Sequence, residues 1–212
     1  MAKIRELILA SQSTIRCSIL EISKIPFRVC PAGINEKEIT SDSTFTLAQK
    51  RAVGKAKDVA SHNDEALVIG CDQVLSFQNK AFSKPKTAYE AQEQLKILQG
   101  QEHWLYSATS LFYGNQGKPL EIFSWVSPVK MRMKKLSIEE IEKYVATKEW
   151  QGSVGGYKIE GKGRALFSSF EPKEDKTVIM GLPLNELLSK FQELKLYKPA
   201  TGLAKSLDLS PY

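Results

Sequence analysis

Apolar positions along the chain follow two alternating periods. Leu7 to Ala10 form a short unbroken apolar run of the kind a buried strand shows. Directly after it, Ile15, Ile19 and Ile22 recur at helical spacing, which predicts a helix capped by Ser13 or Thr14. Phe27 to Cys30 read as a second short strand. Between Ser43 and Ala60 the stripe Ala48, Ala52, Ala56 and Val59 predicts a longer helix, with Lys50, Arg51, Lys55 and Lys57 expected mostly on its solvated face. The run "ALVIGCDQVLSF" at 66–77 is long for a strand, apolar on both alternations and broken by one charge, Asp72.

Later segments continue the alternation. Thr87 followed by Glu90 forms a capping-box pattern ahead of Ala91, Leu95 and Leu98, and Gly100 supplies the stop. His103 to Tyr113 and Leu120 to Met133 alternate as two long strands, and the turn-rich "GNQGKP" between them predicts an antiparallel hairpin. Ser137 with Glu140 opens another helix, with Ile138, Ile141 and Val145 on one face. The glycine-dense "GSVGGYKIEGKGRALFSSF" leads into a strand, and Pro183, Leu184, Leu187, Leu188 and Phe191 mark a last helix. Without repeats or low-complexity linkers, this order predicts an α/β fold, taken here as one domain over 1–195 with a C-terminal tail over 196–212.

Composition narrows the class. A chain of 212 residues with 42% hydrophobic positions buries a substantial core, which argues against disorder. Thirty Lys and Arg against 24 Asp and Glu leave a net charge of +6, a bias toward anionic partners or plain solubility. Cys17, Cys30 and Cys71 have no paired spacing and are expected to be reduced. His62 and His103 are too few for a histidine zinc site, so any metal is a hard cation on carboxylates. The N-terminal apolar run is too short for a membrane span and carries no cleavage signature, so a cytoplasmic protein is expected.

Several positions carry candidate chemistry, each with a plainer alternative. Arg16 lies in a first helical turn, where the partial positive charge of the helix disfavours it unless an anion lies between them; otherwise it is a surface arginine. Asp72 is a structural ion-pair partner or a catalytic carboxylate. Lys84 and Pro85 form a rigid step before a capped helix, and Glu36 falls in the loop "AGINEKEI". Glycines 152, 155, 156, 161 and 163 match neither the P-loop nor the dinucleotide fingerprint and read as turns or as a phosphate cradle.

Taken in order, these segments resemble the Maf family of nucleoside triphosphate pyrophosphatases from about Leu7 to Leu194. The family opening Ala-Ser-x-Ser-Pro-Arg-Arg stands here as Ala10 to Arg16, with Ile15 in place of the first arginine. Its acidic pair is Asn35 and Glu36, so only Glu36 carries over. Its Leu-Ala-x-x-Lys-Ala motif is Leu47 to Ala52, with Arg51 at the lysine. Its catalytic aspartate falls on Asp72 in "GCDQV", its Gly-Lys-Pro on Ser83, Lys84 and Pro85, and its two C-terminal signatures on "GGYKIEGKG" and "MGLPLNEL".

The resemblance implies a long twisted mixed sheet flanked by helices, with two lobes around a cleft, and a frequent homodimer. It implies hydrolysis of a nucleoside triphosphate to the monophosphate and pyrophosphate, with Asp72 as proton acceptor and Glu36 with Asp72 on Mg²⁺ or Mn²⁺. Ser11, Ser13, Arg16, Arg51 and Lys84 are then phosphate ligands. Gln73 and Glu160 resemble the branch that includes enzymes acting on 7-methyl-GTP, and a glutamate suits guanine's amino and imino donors; its alternative is a loop ion pair with Lys158 or Lys162. An inosine-triphosphate-type pyrophosphatase and a weakly active, division-linked nucleotide-binding regulator stay open. Nucleic acid is not an expected partner, because the basic residues do not interleave with aromatics, and neither is a membrane.

Overall fold

A computed structural model describes residues 4–171 and 175–195. Its strands are β1 (Glu6–Ala10), β2 (Arg28–Val29), β3 (Ala66–Phe77), β4 (Lys80–Phe82), β5 (Glu102–Tyr113), β6 (Leu120–Met133) and β7 (Phe167–Glu171). Its helices are α1 (Thr14–Ile22), α2 (Thr44–Ala60), α3 (Ala88–Leu98), α4 (Ile138–Ala146), α5 (Lys176–Ile179) and α6 (Leu184–Glu193). The expected tail over 196–212 lies outside the described residues. Among those described, no helix is long and apolar enough to cross a membrane.

The strands form one mixed sheet in the order β2-β1-β3-β5-β6-β7, with β4 also paired to β3. β1 runs parallel to β2 and β3, and every other pairing is antiparallel, including the expected β5–β6 hairpin. β3 is apolar on both alternations because both its faces are covered. Leu67, Ile69 and Cys71 pack against α1 and α6 through Ile19, Leu20, Leu187 and Phe191. Ala66 and Val68 meet Ala56 and Val59 of α2, and farther along Val74 meets Leu47, Ala48 and Ala52. A second packing unit sets Leu95, Leu98, Ile141 and Val145 of α3 and α4 against β5, β6 and β7. These two units are the lobes expected around a cleft.

Gly70 fixes how closely α2 approaches the sheet. A Cβ there would stand 2.3 Å from the Ala52 carbonyl oxygen and 2.6 Å from the Ala56 nitrogen, both helix backbone. Gly70→Ala is therefore expected to destabilise the fold by about 3 kcal/mol, lowering Tm by about 6–12 °C in thermal unfolding.

Local details depart from expectation in three places. β2 is two residues long rather than four. The hairpin that creates β4 was not anticipated, since its turn uses Gln78 and Asn79 at φ +51° and +58° with no glycine to signal it. At α3 the Thr87 hydroxyl accepts from the Glu90 N–H at 3.1 Å, but the Glu90 carboxylate takes the Lys86 N–H, not that of Thr87. Among the described residues, only α4 has the full reciprocal capping box, from Ser137 and Glu140.

One consequence of this topology positions everything that follows. β1 pairs with β3 as far as Ala10 opposite Gly70, and β4 begins at Phe82 opposite Leu75. Among the described residues, 71–74 of β3 therefore have no strand on that edge, and the sheet carries a four-residue gap. Asp72 lies in it.

Candidate active site

The gap leaves strand carbonyls to be satisfied by side chains, and Arg16 does so. Its Nη1 donates to the Cys71 carbonyl at 2.9 Å and to Ser11 Oγ at 3.4 Å, and its Nε donates to the Gly181 carbonyl at 2.8 Å. Carbonyl dipoles thus supply the negative partner that this position in α1 requires, and Nη2 remains for a ligand. Ser13 caps α1 as expected, its Oγ accepting from the Arg16 N–H at 3.5 Å.

α2 brings Lys55 to the same place. Its Nζ is 2.7 Å from Asp72 Oδ1 and 2.8 Å from Glu36 Oε1, and it also donates to the Cys71 carbonyl at 3.4 Å. Lys55 is 12% exposed and Asp72 8%, so this is a shielded ion triad rather than a surface pair. Lys55 does not belong to the solvated face expected for α2. Burial opposes ionisation of Glu36, but the Lys55 hydrogen bond and charge, with Arg51 and Lys84 nearby, outweigh it and hold the carboxyl below its usual value. Asp72 Oδ2 is buried with no hydrogen-bond partner among the described residues, as is Arg51 Nε.

Around the triad lies a cavity of 370 Å³, within the range of small-ligand sites. Five cations, Arg16, Arg51, Lys55, Lys84 and Lys158, face three carboxylates, Glu36, Asp72 and Glu160. Arg51, Lys84 and Lys158 form no ion pair among the described residues. A second cavity of 860 Å³ shares Ser13, Arg16, Glu36, Lys55, Lys84, Lys158 and Glu160 with the first. Ser11 lines only that second cavity and supports Arg16. Asn35 lines neither cavity; it holds its own turn through Glu38 and the Lys37 N–H.

The apolar end of the first cavity is built by β3, β5 and the loop after α4. Gln73 alternates to the face opposite Asp72, where its Nε2 donates to Ser107 Oγ at 2.8 Å and to the Ile179 carbonyl at 2.8 Å. Its amide orientation is thereby fixed, and Oε1 is left as the free acceptor. Glu160 lines the cavity without an ion pair among the described residues; the Lys162 backbone N–H goes instead to Glu149. The loop carrying Glu160 turns through Gly155 at φ +74°, where a Cβ would strike Leu75 at 2.3 Å. Its Tyr157 lines the cavity and bonds His103 Nε2 at 2.7 Å.

His103 is 1% exposed, and burial pulls its pKa down to about 4. The unfolded chain protonates this ring near 6.5, so between pH 6.5 and 4 the unfolded state holds the extra proton and stability falls as pH falls. The full loss is about 3 kcal/mol, complete below the folded value and absent above pH 6.5. Denaturant melts across this interval check it: His103→Gln should flatten the slope relative to the parent.

The structure therefore gathers Ser13, Arg16, Glu36, Arg51, Asp72, Gln73, Lys84 and Glu160 around one cavity. Sequence reasoning missed Lys55, Lys158 and Tyr157. The signal for Lys55 was its spacing of four from Arg51, which puts both on one helix face.

The Maf-like protein family is matched by residues 6–194. The chain belongs to the Maf-like family. A 7-methyl-GTP pyrophosphatase of Bartonella henselae is 39% identical over 196 residues, covering 90% of this chain and 96% of that one. A nucleoside triphosphate pyrophosphatase of Ruegeria pomeroyi is 35% identical, covering 86% and 93%. A second 7-methyl-GTP pyrophosphatase, from Rhizobium meliloti, is 36% identical, covering 89% and 96%.

Proposed function

We propose that this Maf-like chain is a nucleoside triphosphate pyrophosphatase that adds water across the bond between the α and β phosphates, giving the monophosphate and pyrophosphate. The observation that carries this reading is the triad of Asp72, Lys55 and Glu36 at the gap in β3, beside Arg51, Lys84 and Lys158, which form no ion pair among the described residues. Such cations neutralise charge on a triphosphate and on the phosphorane-like transition state.

Asp72 is the proton acceptor. Lys55 holds its Oδ1, which fixes the carboxylate and leaves the unpartnered Oδ2 to take a proton from the attacking water. Arg16, Arg51 and Lys84 bind the phosphates, Ser13 and the α1 N-terminus add donors, and Ser11 acts one step back by orienting Arg16. Glu36 Oε1 and Asp72 Oδ1 converge on one ammonium, and the same two oxygens would suit Mg²⁺ or Mn²⁺ in its place. Among the described residues no cluster of three or more metal-ligating side chains exists, so these two carboxylates are the residues that would hold the cation. When bound, the cation would polarise the phosphate and acidify the water.

At the apolar end, Gln73 Oε1 and the unpaired Glu160 carboxylate are acceptors, complementary to the N1–H and 2-amino donors of guanine and favourable to a base bearing positive charge, as in 7-methyl-GTP. A pyrophosphate-release panel with Mg²⁺, Mn²⁺ or no metal tests both levels of the reading. GTP and 7-methyl-GTP are expected to exceed dTTP and UTP by about 100-fold in kcat/KM, and Glu160→Gln should cut that ratio about ten-fold. A leading rate on dTTP or UTP would overturn the base assignment, as would ITP, which lacks the 2-amino group. Binding without metal-dependent pyrophosphate release would overturn the enzyme itself.

A further inference from the structure

The two cavities differ in a way that a nucleoside triphosphate does not explain. All the cations of the larger one, Arg16, Lys55, Lys84 and Lys158, lie in the part it shares with the smaller one. Its remaining walls carry no charge and include Gln12, Thr14, Ser18, Ala32, Ile34 and Gln151. Beyond the shared, charged waist the larger cavity thus extends as an uncharged arm, whereas the smaller one extends with Arg51, Asp72 and a set of uncharged walls. One arm, with Gln73, Leu105, Tyr157 and Ile159, is assigned above to the base. A terminal pyrophosphate would fill the waist and leave the other arm, amide- and hydroxyl-lined with a small apolar floor, without an occupant.

We infer that the enzyme also hydrolyses dinucleoside polyphosphates, binding one nucleoside in each arm and the phosphate bridge across the waist. This rests on the pyrophosphatase reading and uses the same reacting atoms. Water adds to the α phosphorus beside the nucleoside in the first arm, Asp72 takes its proton, and the bond from that phosphorus to the bridging oxygen breaks. With a guanosine dinucleotide bridged by three phosphates, the products are GMP and GDP, and the electron pair of the broken bond leaves on the β phosphate of GDP. No oxidant or co-reactant beyond water is required.

Ser18, exposed on α1, and Gln151 line the second cavity and not the first, so a bulky side chain at either position obstructs the second arm. The experiment follows GTP and the triphosphate-bridged guanosine dinucleotide side by side, resolving products by chromatography, with the parent, Ser18→Trp and Gln151→Trp. The dinucleotide is expected to yield GMP and GDP at a kcat/KM within about ten-fold of GTP, and each tryptophan variant should lose about ten-fold on the dinucleotide while keeping its GTP rate. Cleavage of GTP with no cleavage of the dinucleotide overturns the inference and leaves the pyrophosphatase reading standing. Equal loss or equal retention on both substrates in both variants also overturns it, because the second arm then holds no nucleoside. Failure of the parent on both substrates overturns the underlying reading instead.

Discussion

Asp72→Asn is expected to lower pyrophosphate release by about a thousand-fold, the middle of the range for loss of a general base. The amide is nearly isosteric with the carboxylate and still offers an oxygen to Lys55, which also keeps Glu36 at 2.8 Å. Thermal unfolding should therefore stay within about 5 °C of the parent, which corresponds to roughly 2 kcal/mol for a chain of this size. The discriminating measurement is single-turnover release beside a melt of the same sample. Turnover near that of the parent removes Asp72 from the chemistry, whatever the melt shows.

Lys55→Gln should act on two observables with opposite responses to a divalent cation. Without Lys55, two carboxylates face each other with their shared counter-ion removed, and the fold should lose about 3 kcal/mol, at the low end for a broken shielded pair because Glu36 is half exposed. That is a fall of about 6–12 °C in Tm. Added Mg²⁺ should then raise the Tm of the variant more than that of the parent, since the cation no longer competes with an ammonium for the same oxygens. Activity should fall by about 100-fold even with saturating metal, since the orientation of Asp72 is lost. An equal Mg²⁺ shift in both proteins would show that Lys55 and the metal do not share ligands.

How much of this was legible in the chain depends on the range of the interaction involved. The helix stripes, the long apolar β3 and the β5–β6 hairpin follow from local period and turn chemistry, and each formed where the pattern placed it. The Gln78–Asn79 turn escaped because its left-handed residues lack the glycine that usually announces them. At the site, Asp72 stood out as a charge in an apolar strand, whereas Lys55 looked like one of four solvated cations on α2. What separates it from Lys50 and Lys57 is tertiary: α2 lies so close over Gly70 that the residue one turn beyond Arg51 reaches the gap in the sheet. A gap is a property of strand pairing, and no single-strand period encodes it. The reversed orientation of Gln73, locked by carbonyls of α5, is likewise set by a segment about a hundred residues away.

The bonds that hold Arg16 limit the grip it offers. A free guanidinium clasps a phosphate with a planar fork of two parallel N–H groups. Here three of its five hydrogens are committed to Cys71, Ser11 and Gly181, and the two that remain share a single nitrogen. The arginine therefore arrives already immobilised, with its rotamer entropy surrendered during folding rather than at the moment of association, yet it presents an edge rather than a fork. It also rivets three stretches of chain, the turn before α1, the open edge of β3 and the approach to α6, into a single rigid frame.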